Sequence, residues 1–270
     1  PWSEGRPGWH IECSVMSRRY LGDTIDIHSG GQDLIFPHHE NEIAQSEARS
    51  GKPFSNFWVH NGYINIDNQK MSKSLNNFFT VREISDEMDL EIVRFFMLSA
   101  HYRGPVNYSK ELLDQAKAGM TRLYNSKNRM EFLLSMAESG IREEEKANLE
   151  KLPEFKKAFI DAMDDDLNTA DAITAIFELV SFVNTTAEDE SSKEYIEQCL
   201  AIFRELTGVL NIIQKKDDVD EEKINELIEK RTAAKKNKDF AESDRIRDEL
   251  KAMGIELLDT RQGTTWTKIK

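Results

Sequence analysis

The hydrophobic period of the chain changes near residue 80, and this change limits the fold more than any other feature. Before it, residues 24–28 alternate like a short strand and run into Gly30 and Gly31, and residues 57–66 predict a strand, a turn and another strand. A strand, a glycine turn, a helix and a strand in this order are typical of an α/β domain. Beyond residue 80 the apolar residues keep helical spacing. We therefore expect a mixed α/β and mainly α protein.

The first 79 residues are too short for a complete doubly wound sheet, so they predict a partial Rossmann-type nucleotide-binding domain. The helical patterns that follow predict a bundle, and the last helices and a hairpin predict a small α+β C-terminal module. The expected domains are the C-terminal half of the nucleotide-binding domain at 1–79, a connecting helical segment at 80–108, the bundle at 109–213 and the module at 214–270. The expected helices cover 109–138, 153–166, 169–187, 191–213, 221–236 and 239–253, and the hairpin strands lie in 255–258 and 264–269.

Local residue patterns predict several helix ends. Pro37 suits the first turn of a helix that ends at Gly51, because proline lacks an N–H that the first turn would leave unpaired and glycine tolerates the left-handed end. The Thr-Val-Arg-Glu sequence at 80–83 predicts a capping box, and Asn168 predicts an N-cap.

Composition narrows the class of protein. The chain has 39% hydrophobic and 31% charged residues, two cysteines and a formal charge of −13. These values favour a globular protein of a reducing compartment and argue against one that coats nucleic acid over its whole surface. No apolar run approaches the roughly 20 residues that span a bilayer, so we expect a cytoplasmic protein without membrane contact. The start at Pro1 suggests a cut inside a longer chain.

The segment Lys70-Met71-Ser72-Lys73-Ser74 follows a predicted strand and precedes a predicted helical region. Two ammonium groups and two hydroxyl groups on a short loop can stabilise the charge that develops on a departing pyrophosphate. A solvated Lys/Ser loop is the simpler alternative, but this pattern in this structural context favours phosphate binding. Lys70 and Lys73 are therefore the candidate catalytic residues.

Four side chains in the first 42 residues have the chemistry of zinc ligands: Cys13, His38, His39 and Glu42. His38 and Glu42 share one face of a predicted helix, and Cys13 ends a segment that could run as a neighbouring strand. Three such ligands leave one coordination position open for a substrate. Taken alone, the pattern fits a solvated His/Glu pair and a cysteine in the core at least as well.

A glycine-rich turn follows the predicted strand that ends at His28. Gly30 and Gly31 would let the backbone approach a ligand closely, and Asp33 could accept hydrogen bonds from a ribose or an amino group. A plain turn from strand to helix explains the same residues. Three further residues could line this pocket: Trp58, His60 and Gly62.

Charge is unevenly distributed in the last third of the chain. Residues 186–229 hold 13 Asp/Glu against 5 Lys/Arg, whereas residues 230–251 hold 8 Lys/Arg against 5 Asp/Glu. Contacts of Lys and Arg with phosphate dominate nucleic-acid affinity, and a ring such as Trp266 can stack on an unpaired base. A solvated helical pair with one charged face explains the counts equally well. The cationic cluster consists of Lys230, Arg231, Lys235, Lys236, Lys238, Arg245 and Arg247.

The five residues from Lys70 resemble a signature of class I aminoacyl-tRNA synthetases, and other segments are similar to cysteinyl-tRNA synthetases of the bacterial type. The resemblance implies that the loop binds ATP, that Lys73 contacts its phosphates, and that Gly30, Gly31 and Asp33 belong to the nucleotide site. No segment matches the second signature of the class, His-Ile-Gly-His, so we expect that the N-terminal part is absent. The similar segments are Trp9-His10-Ile11-Glu12-Cys13, His28-Ser29-Gly30-Gly31-Gln32-Asp33, Phe36-Pro37-His38-His39-Glu40-Asn41-Glu42, Lys238-Asp239-Phe240-Ala241, Asp244-Arg245-Ile246-Arg247 and Gly263-Thr264-Thr265-Trp266.

In that family two Cys, one His and one Glu hold a zinc ion. The resemblance therefore implies Cys13, His38 and Glu42 as metal ligands, with the fourth ligand outside this chain, and it places Trp9 and His28 beside the substrate pocket. Zinc binds a thiolate far more strongly than a serine hydroxyl, so such a site can select cysteine without editing. The other cysteine of the chain, Cys199, lies in the predicted bundle and is a poor replacement for the missing ligand.

The implied activity is the ATP-dependent activation of cysteine to cysteinyl-adenylate, with Mg²⁺, and its transfer to cysteine tRNA by a monomeric enzyme. The bundle would dock on the tRNA and the C-terminal module would read the anticodon. Two alternatives stay open. One is a related ATP-dependent cysteine ligase of small-thiol (mycothiol) biosynthesis, which is expected to lack the tRNA-reading module. The other is a tRNA-binding module without catalytic activity.

Overall fold

The computed structural model describes residues 3–67, 69–71, 80–214, 221–237, 239–259 and 264–268. The chain groups into two compact units, Pro1–Glu87 with Ala100–Leu113 and Met88–Ser99 with Asp114–Lys270. The first unit combines helices with short strands and the second is mainly helical, which confirms the fold class predicted from the change of hydrophobic period. In these described ranges, no helix is long and apolar enough to cross a membrane.

Short elements make up the first unit. A 3-10 turn at Gln32–Leu34 and a π-helical turn at Ile35–His39 lead from its first strand into its second helix. In chain order the elements are α1 (His10–Leu21), β1 (Ile25–Gly31), α2 (Glu40–Ser50), β2 (Ser55–Asn61), β3 (Ile64–Ile66), β4 (Gln69–Lys70), α3 (Val81–Glu87) and β5 (Val106–Tyr108).

A strand–helix–strand crossover positions the candidate site. β1 and β2 are parallel, with Ile25 opposite Ser55 and Gly31 opposite Asn61, and α2 connects them. Parallel strands need such a crossover because their equivalent ends lie on the same side. Both strands therefore end at one edge, where open α/β sheets bind their ligands.

A second small sheet has the order β4-β3-β5. The turn before β5 packs closely on the residue that follows β2, because the amide of Gly62 donates to the carbonyl oxygen of Tyr102 at 2.7 Å. A Cβ at position 62 would overlap the carbonyl of Gly104. Glycine is therefore required at position 62 by the close approach of two backbones.

Gly62→Ala should destabilise the protein by about 2 kcal/mol, because the overlap involves backbone atoms that cannot rotate away. Gly208→Ala is the matched control, since a Cβ there meets nothing within 4 Å and the residue lies in a helix. Alanine at that helical position should stabilise the protein by roughly 0.5–1 kcal/mol. Thermal unfolding of both variants measures the difference; equal stabilities would contradict the close approach at Gly62.

Helices dominate the rest of the chain. The elements are α4 (Leu90–Leu98), α5 (Lys110–Met136), α6 (Glu143–Asp164), α7 (Thr169–Thr186), α8 (Lys193–Leu210), α9 (Glu221–Lys236), α10 (Phe240–Ala252), β6 (Ile255–Asp259) and β7 (Thr264–Lys268). The core of this second unit is best formed around α7 and α8, which bury apolar side chains at helical spacing. Among the most buried are Ile176, Leu179, Val180, Ile196, Leu200 and Phe203.

One buried carboxylate caps two helices of the second unit. Glu145, which is 1% exposed, accepts hydrogen bonds from the amide and hydroxyl of Ser192 at 2.8 and 2.5 Å. It also accepts from the amide of Arg142 at 3.0 Å and from its Nε at 3.3 Å. Arg142 and Ser192 are the N-cap residues of α6 and α8, so Glu145 fixes the start of both helices.

The C-terminal module has its own small core. β6 and β7 pair antiparallel, with Leu257 opposite Trp266, which confirms the predicted hairpin. Trp266 is partly buried against this core, so its indole ring has a structural role beside any contact with nucleic acid. The core residues are Ile224, Leu227, Ile246, Leu250 and Ile255.

Several predicted helix ends are confirmed. The Thr80 amide donates to the carboxylate of Glu83 at 2.6 Å, and the Glu83 amide donates back to the Thr80 hydroxyl at 3.3 Å, which is a capping box. Asn168 accepts from the amide of Asp171 at 3.2 Å as the N-cap of α7. Gly51 ends α2 with a φ of 67°.

Two local predictions are wrong, and a third is confirmed in part. Cys13 lies in α1, not on a strand; the alternation of apolar and polar residues over 9–13 is too short to identify a strand against the packing of α1 on α2. The regular α-helix α2 begins at Glu40, but helical backbone begins directly after the extended Phe36, so Pro37 lies in the first helical turn as predicted. α6 begins at Glu143, ten residues before its predicted start, where the cap from Glu145 initiates it.

Candidate metal and nucleotide site

Glu42 is the centre of a group of buried polar side chains in the first unit. The residue is fully buried in the first turn of α2, and its Oε2 lies 2.8 Å from Nε2 of His28. Nε2 of His38 lies 3.4 Å from Oε1. In the part of the chain that the structure describes, Oε1 has no hydrogen-bond partner. A buried carboxylate oxygen without a partner is costly, so this oxygen indicates a position for a cation.

Helix α1 brings a thiol to the same place. The Ser14 hydroxyl donates to the carbonyl oxygen of Glu42 at 3.4 Å and ties α1 to α2. One donor atom from each of Cys13, His38 and Glu42 lies within 4.8 Å of the other two. Sulfur, nitrogen and oxygen donors at these separations can converge on one metal ion. The structure therefore brings together all three residues that the family resemblance implies as ligands.

The thiol of Cys13 is electrostatically coupled to this carboxylate. Burial raises the pKa of Cys13, and the negative charge and hydrogen bond of Glu42 raise it further. A cation between the two groups reverses this effect, because a coordinated thiol is deprotonated. The electrostatics of the pair therefore favour a shared positive ion.

A second set of donors shares Glu42 with the first. Donor atoms of His28, His39 and Glu42 also lie within 4.8 Å of one another. Burial lowers the pKa of His39 to about 4, and the neighbouring His28 contributes to the lowering. His39 is therefore neutral near pH 7, and its Nδ1 lies at hydrogen-bond distance, 2.8 Å, from Nε2 of His60.

Two aromatic side chains of the segment around α1, Trp9 and His10, contact the ring of His38. The indole N–H of Trp9 donates to Nδ1 of His38, and Nδ1 of His10 lies 2.7 Å from the same atom. Trp9 is 57% exposed and lies at the surface of the site. His10 is a site residue that sequence reasoning missed, although it directly precedes Ile11 in the segment that carries Cys13.

The glycines at the end of β1 have different surroundings. A Cβ on Gly30 would lie 2.8 Å from Cε1 of His39, so a side chain there would displace the buried imidazole. A Cβ on Gly31 would meet only the carboxylate of Asp33, which can rotate away. Gly30 is therefore needed for the packing of the histidines, while Gly31 and Asp33 lie at the carboxyl end of β1 where a ligand can approach.

The predicted phosphate-binding segment from Lys70 to Ser74, called the phosphate loop below, is described by the structure only at Lys70 and Met71. Lys70 lies on β4, opposite Asn65 of β3, and Met71 donates its amide to the carbonyl of Ile64 at 3.3 Å. Ser72, Lys73 and Ser74 lie outside the described residues, so the roles given to Lys70 and Lys73 stay predictions.

Ion pairs within the C-terminal module neutralise much of the cationic cluster. Arg245 pairs with Glu242 at 2.7 Å and with Glu249 at 3.1 Å, and Lys230 pairs with Glu226 at 2.7 Å. Arg231 is buried and donates to the hydroxyl of Thr264 at 3.4 Å. Exposed pairs are weak, so phosphates can replace the acidic partners of the surface residues. Lys235 and Lys236 are exposed at the end of α9, and Lys238 lies outside the described residues.

Known families match three successive parts of the chain. The family described as tRNA synthetases class I (C) catalytic domain matches residues 1–118. The DALR domain matches residues 158–214, and the family described as cysteinyl-tRNA ligase anticodon binding domain matches residues 218–266.

Similar solved structures share the fold. The ternary complex of Agrobacterium radiobacter K84 agnB2 LeuRS, tRNA and LeuAMS has a TM-score of 0.58 at 15% identity and covers 68% of this chain and 25% of that chain. The Mycobacterium tuberculosis methionyl-tRNA synthetase in complex with methionyl-adenylate has a TM-score of 0.54 at 18% identity, with 72% and 41% covered. At these identities the likeness concerns the fold alone.

Curated relatives match along the whole chain. The cysteine–tRNA ligase of Clostridioides difficile is 65% identical over 271 residues, which cover 100% of this chain and 58% of the relative. The cysteine–tRNA ligase of Lachnospira eligens is 56% identical, with 99% of this chain and 57% of the relative covered. The chain thus spans somewhat more than half the length of these relatives, which is consistent with the expected absence of a part. With these identities and the three successive family matches, the chain belongs to the cysteine–tRNA ligase family.

Proposed function

We propose that the chain forms part of an enzyme that activates cysteine with ATP and joins it to cysteine tRNA. The observation that carries the proposal is the buried Oε1 of Glu42, which accepts no hydrogen bond from the described residues and lies beside the donors Cys13 and His38. A thiol, an imidazole and a carboxylate around one point suit a metal ion that also accepts a substrate sulfur. Membership of the cysteine–tRNA ligase family supports the same substrate.

Zinc fits the donors that are present. Cys13, His38 and Glu42 would hold it, and when bound it supplies a Lewis-acidic position that prefers a thiolate to a hydroxyl group. His28 bonds to the second oxygen of Glu42 and orients the carboxylate, as outer partners of metal ligands commonly do. Cys199 is fully buried in α8, and burial raises its pKa to about 12, so it serves the core of the bundle.

The remaining residues of the site would position the two small substrates. Trp9 and His28 flank the thiol-binding point and would contact cysteine. Gly30, Gly31 and Asp33 would receive ATP at the carboxyl end of β1, where the backbone is accessible. Lys70 and Lys73 would stabilise the phosphates, together with Mg²⁺, as charge develops on the departing pyrophosphate.

The other family matches support RNA as the second substrate. We assign docking on the tRNA to the DALR region and anticodon reading to the module at 218–266, on the descriptions of the families that match there. The presence of this module argues against a ligase that makes only a small thiol. We infer a monomer that works in the cytoplasm, where tRNA and ATP are available.

Titration of the purified chain with labelled cysteine tRNA tests this proposal. We expect cysteine tRNA to bind at least tenfold more tightly than a non-cognate tRNA, with affinity falling as salt rises because phosphate contacts release counterions. Fluorescence anisotropy at several salt concentrations measures both properties. Equal binding of the two tRNAs would contradict anticodon reading by this chain.

A further inference from the structure

The turn before β5 lies at the carboxyl ends of β1 and β2. The side-chain amide of Gln32, which directly follows β1, donates to the carbonyl oxygen of Arg103 at 2.8 Å. The amide of Gly62, which directly follows β2, donates to the carbonyl oxygen of Tyr102 at 2.7 Å. The residue that follows each of the two strands at the ligand-binding edge therefore makes one hydrogen bond to this turn.

The side chains of this turn form a stack that ends in a positively charged guanidinium group. The rings of His101 and Tyr102 stack with centroids 5.0 Å apart and an interplanar angle of 23°. The guanidinium carbon of Arg103 lies 5.4 Å from the centroid of Tyr102, on a side chain that is exposed. An arginine held over an aromatic ring has fewer orientations open to it, and its charge persists at any physiological pH.

Arg103 also interacts electrostatically with one histidine near the site, His60. Burial lowers the pKa of His60, and Arg103 is the next contributor to the lowering. His60 lies on β2 opposite Gly30 of β1 and pairs with His39. The hydrogen bonds from Gln32 and Gly62 hold the backbone of this turn at the carboxyl ends of both strands, beside the crevice.

The turn is also connected to the phosphate loop through a sheet. It leads directly into β5, whose Val106 lies opposite Ile64 of β3, and β3 pairs through Asn65 with Lys70 of β4. The turn that contains Arg103 thus continues into the three-stranded sheet whose strand β4 carries Lys70.

We propose that Arg103 binds a phosphate group at the carboxyl ends of β1 and β2. Its planar guanidinium group can bind two phosphate oxygens at once, which a lysine cannot do. The phosphate belongs either to the nucleotide or to the backbone of the RNA. The inference rests on the proposed function, because it assumes a ligand that carries phosphate, and it adds a positioning residue that the sequence motifs do not include.

Binding of inorganic pyrophosphate and of cysteine tRNA to the full chain tests the inference. Arg103→Ala should weaken one or both about tenfold, since a hydrogen-bonded ion pair with phosphate is lost. Arg103→Lys keeps the charge without the planar group and should retain part of the affinity. Arg49→Ala is the matched control: this exposed arginine lies at the end of α2 that leads to the amino end of β2, and its removal should change binding less than twofold.

The outcomes separate the sources of the phosphate. Weaker pyrophosphate binding alone assigns Arg103 to the nucleotide, and weaker tRNA binding with a salt slope reduced by about one assigns it to the RNA. If the unchanged chain binds these probes and Arg103→Ala binds them equally well, the role of Arg103 is refuted and the proposed function stands. If the unchanged chain binds neither, both fail. Thermal unfolding of the exposed Arg103 variants verifies that they fold.

Discussion

Glu42→Gln should abolish the stabilisation that zinc gives to this protein while leaving the metal-free protein almost equally stable. At a zinc concentration of 100 times the dissociation constant, a ligand that binds only the folded state stabilises by about 2.7 kcal/mol. The glutamine cannot supply an anionic ligand, so this gain should disappear. In the metal-free protein the substitution removes a fully buried carboxylate, one oxygen of which accepts no hydrogen bond from the described residues, so we expect a change of less than about 1 kcal/mol.

Thermal unfolding with and without zinc measures this difference, and elemental analysis gives the metal content. Glu40→Gln is the matched control, because Glu40 precedes Glu42 by two residues in the first turn of α2 but is exposed. Cys13→Ser should lose the zinc response as Glu42→Gln does, since a hydroxyl is a much weaker ligand than a thiolate. A full zinc response in Glu42→Gln would show that zinc binds elsewhere.

Glu145→Ala should destabilise the second unit by about 3 kcal/mol, because it removes the cap of two helices and leaves the buried amide and hydroxyl of Ser192 without their acceptor. Glu144→Ala changes the neighbouring exposed residue and should cost less than about 1 kcal/mol. Chemical denaturation of both variants at pH 7 measures the difference. Similar losses would mean that the network around Glu145 contributes little.

The contribution of Glu145 should also depend on pH. Burial alone would raise its pKa, but the hydrogen bonds from Ser192 and Arg142 outweigh burial and the net pKa is lowered. A carboxyl group with a lowered pKa in the folded state stabilises the protein above its unfolded pKa of about 4.3 and loses this effect as the pH falls. The stability difference between the wild type and Glu145→Ala should therefore be largest near neutral pH and shrink below about pH 4. A difference that is constant from pH 3 to 7 would contradict this account.

The fold class was predictable from the sequence because hydrophobic period reports directly on the face that each element buries. The switch near residue 80, the cap at Asn168 and the hairpin at the C-terminus are local patterns, and the structure contains all three. The structure also brings together the three residues that the family resemblance implied as metal ligands, although the residue pattern alone favoured a solvated pair as much as a site.

Contacts that depend on packing were not predictable in the same way. The short segment up to Cys13 alternates like a strand, and only its packing on α2 makes it helical. Glu145 is one of many acidic residues in its region, and nothing in the sequence marks it as buried. Arg103 gains its position from hydrogen bonds made by Gln32 and Gly62, which are 71 and 41 residues away along the chain. The helix at Cys13, the burial of Glu145 and the position of Arg103 all depend on contacts between residues that are distant in the sequence.

The burial of Cys199 has a practical consequence for chemical labelling. The chain has two cysteines, and Cys199 is sealed within α8 while Cys13 is partly accessible beside Glu42. A thiol-alkylating reagent applied to the native chain would therefore modify a single sulfur, because the other is shielded from solvent. Intact mass spectrometry would then separate two populations of the chain. A mass increase of one adduct marks a vacant site, and an unchanged mass marks a Cys13 sulfur protected by its metal.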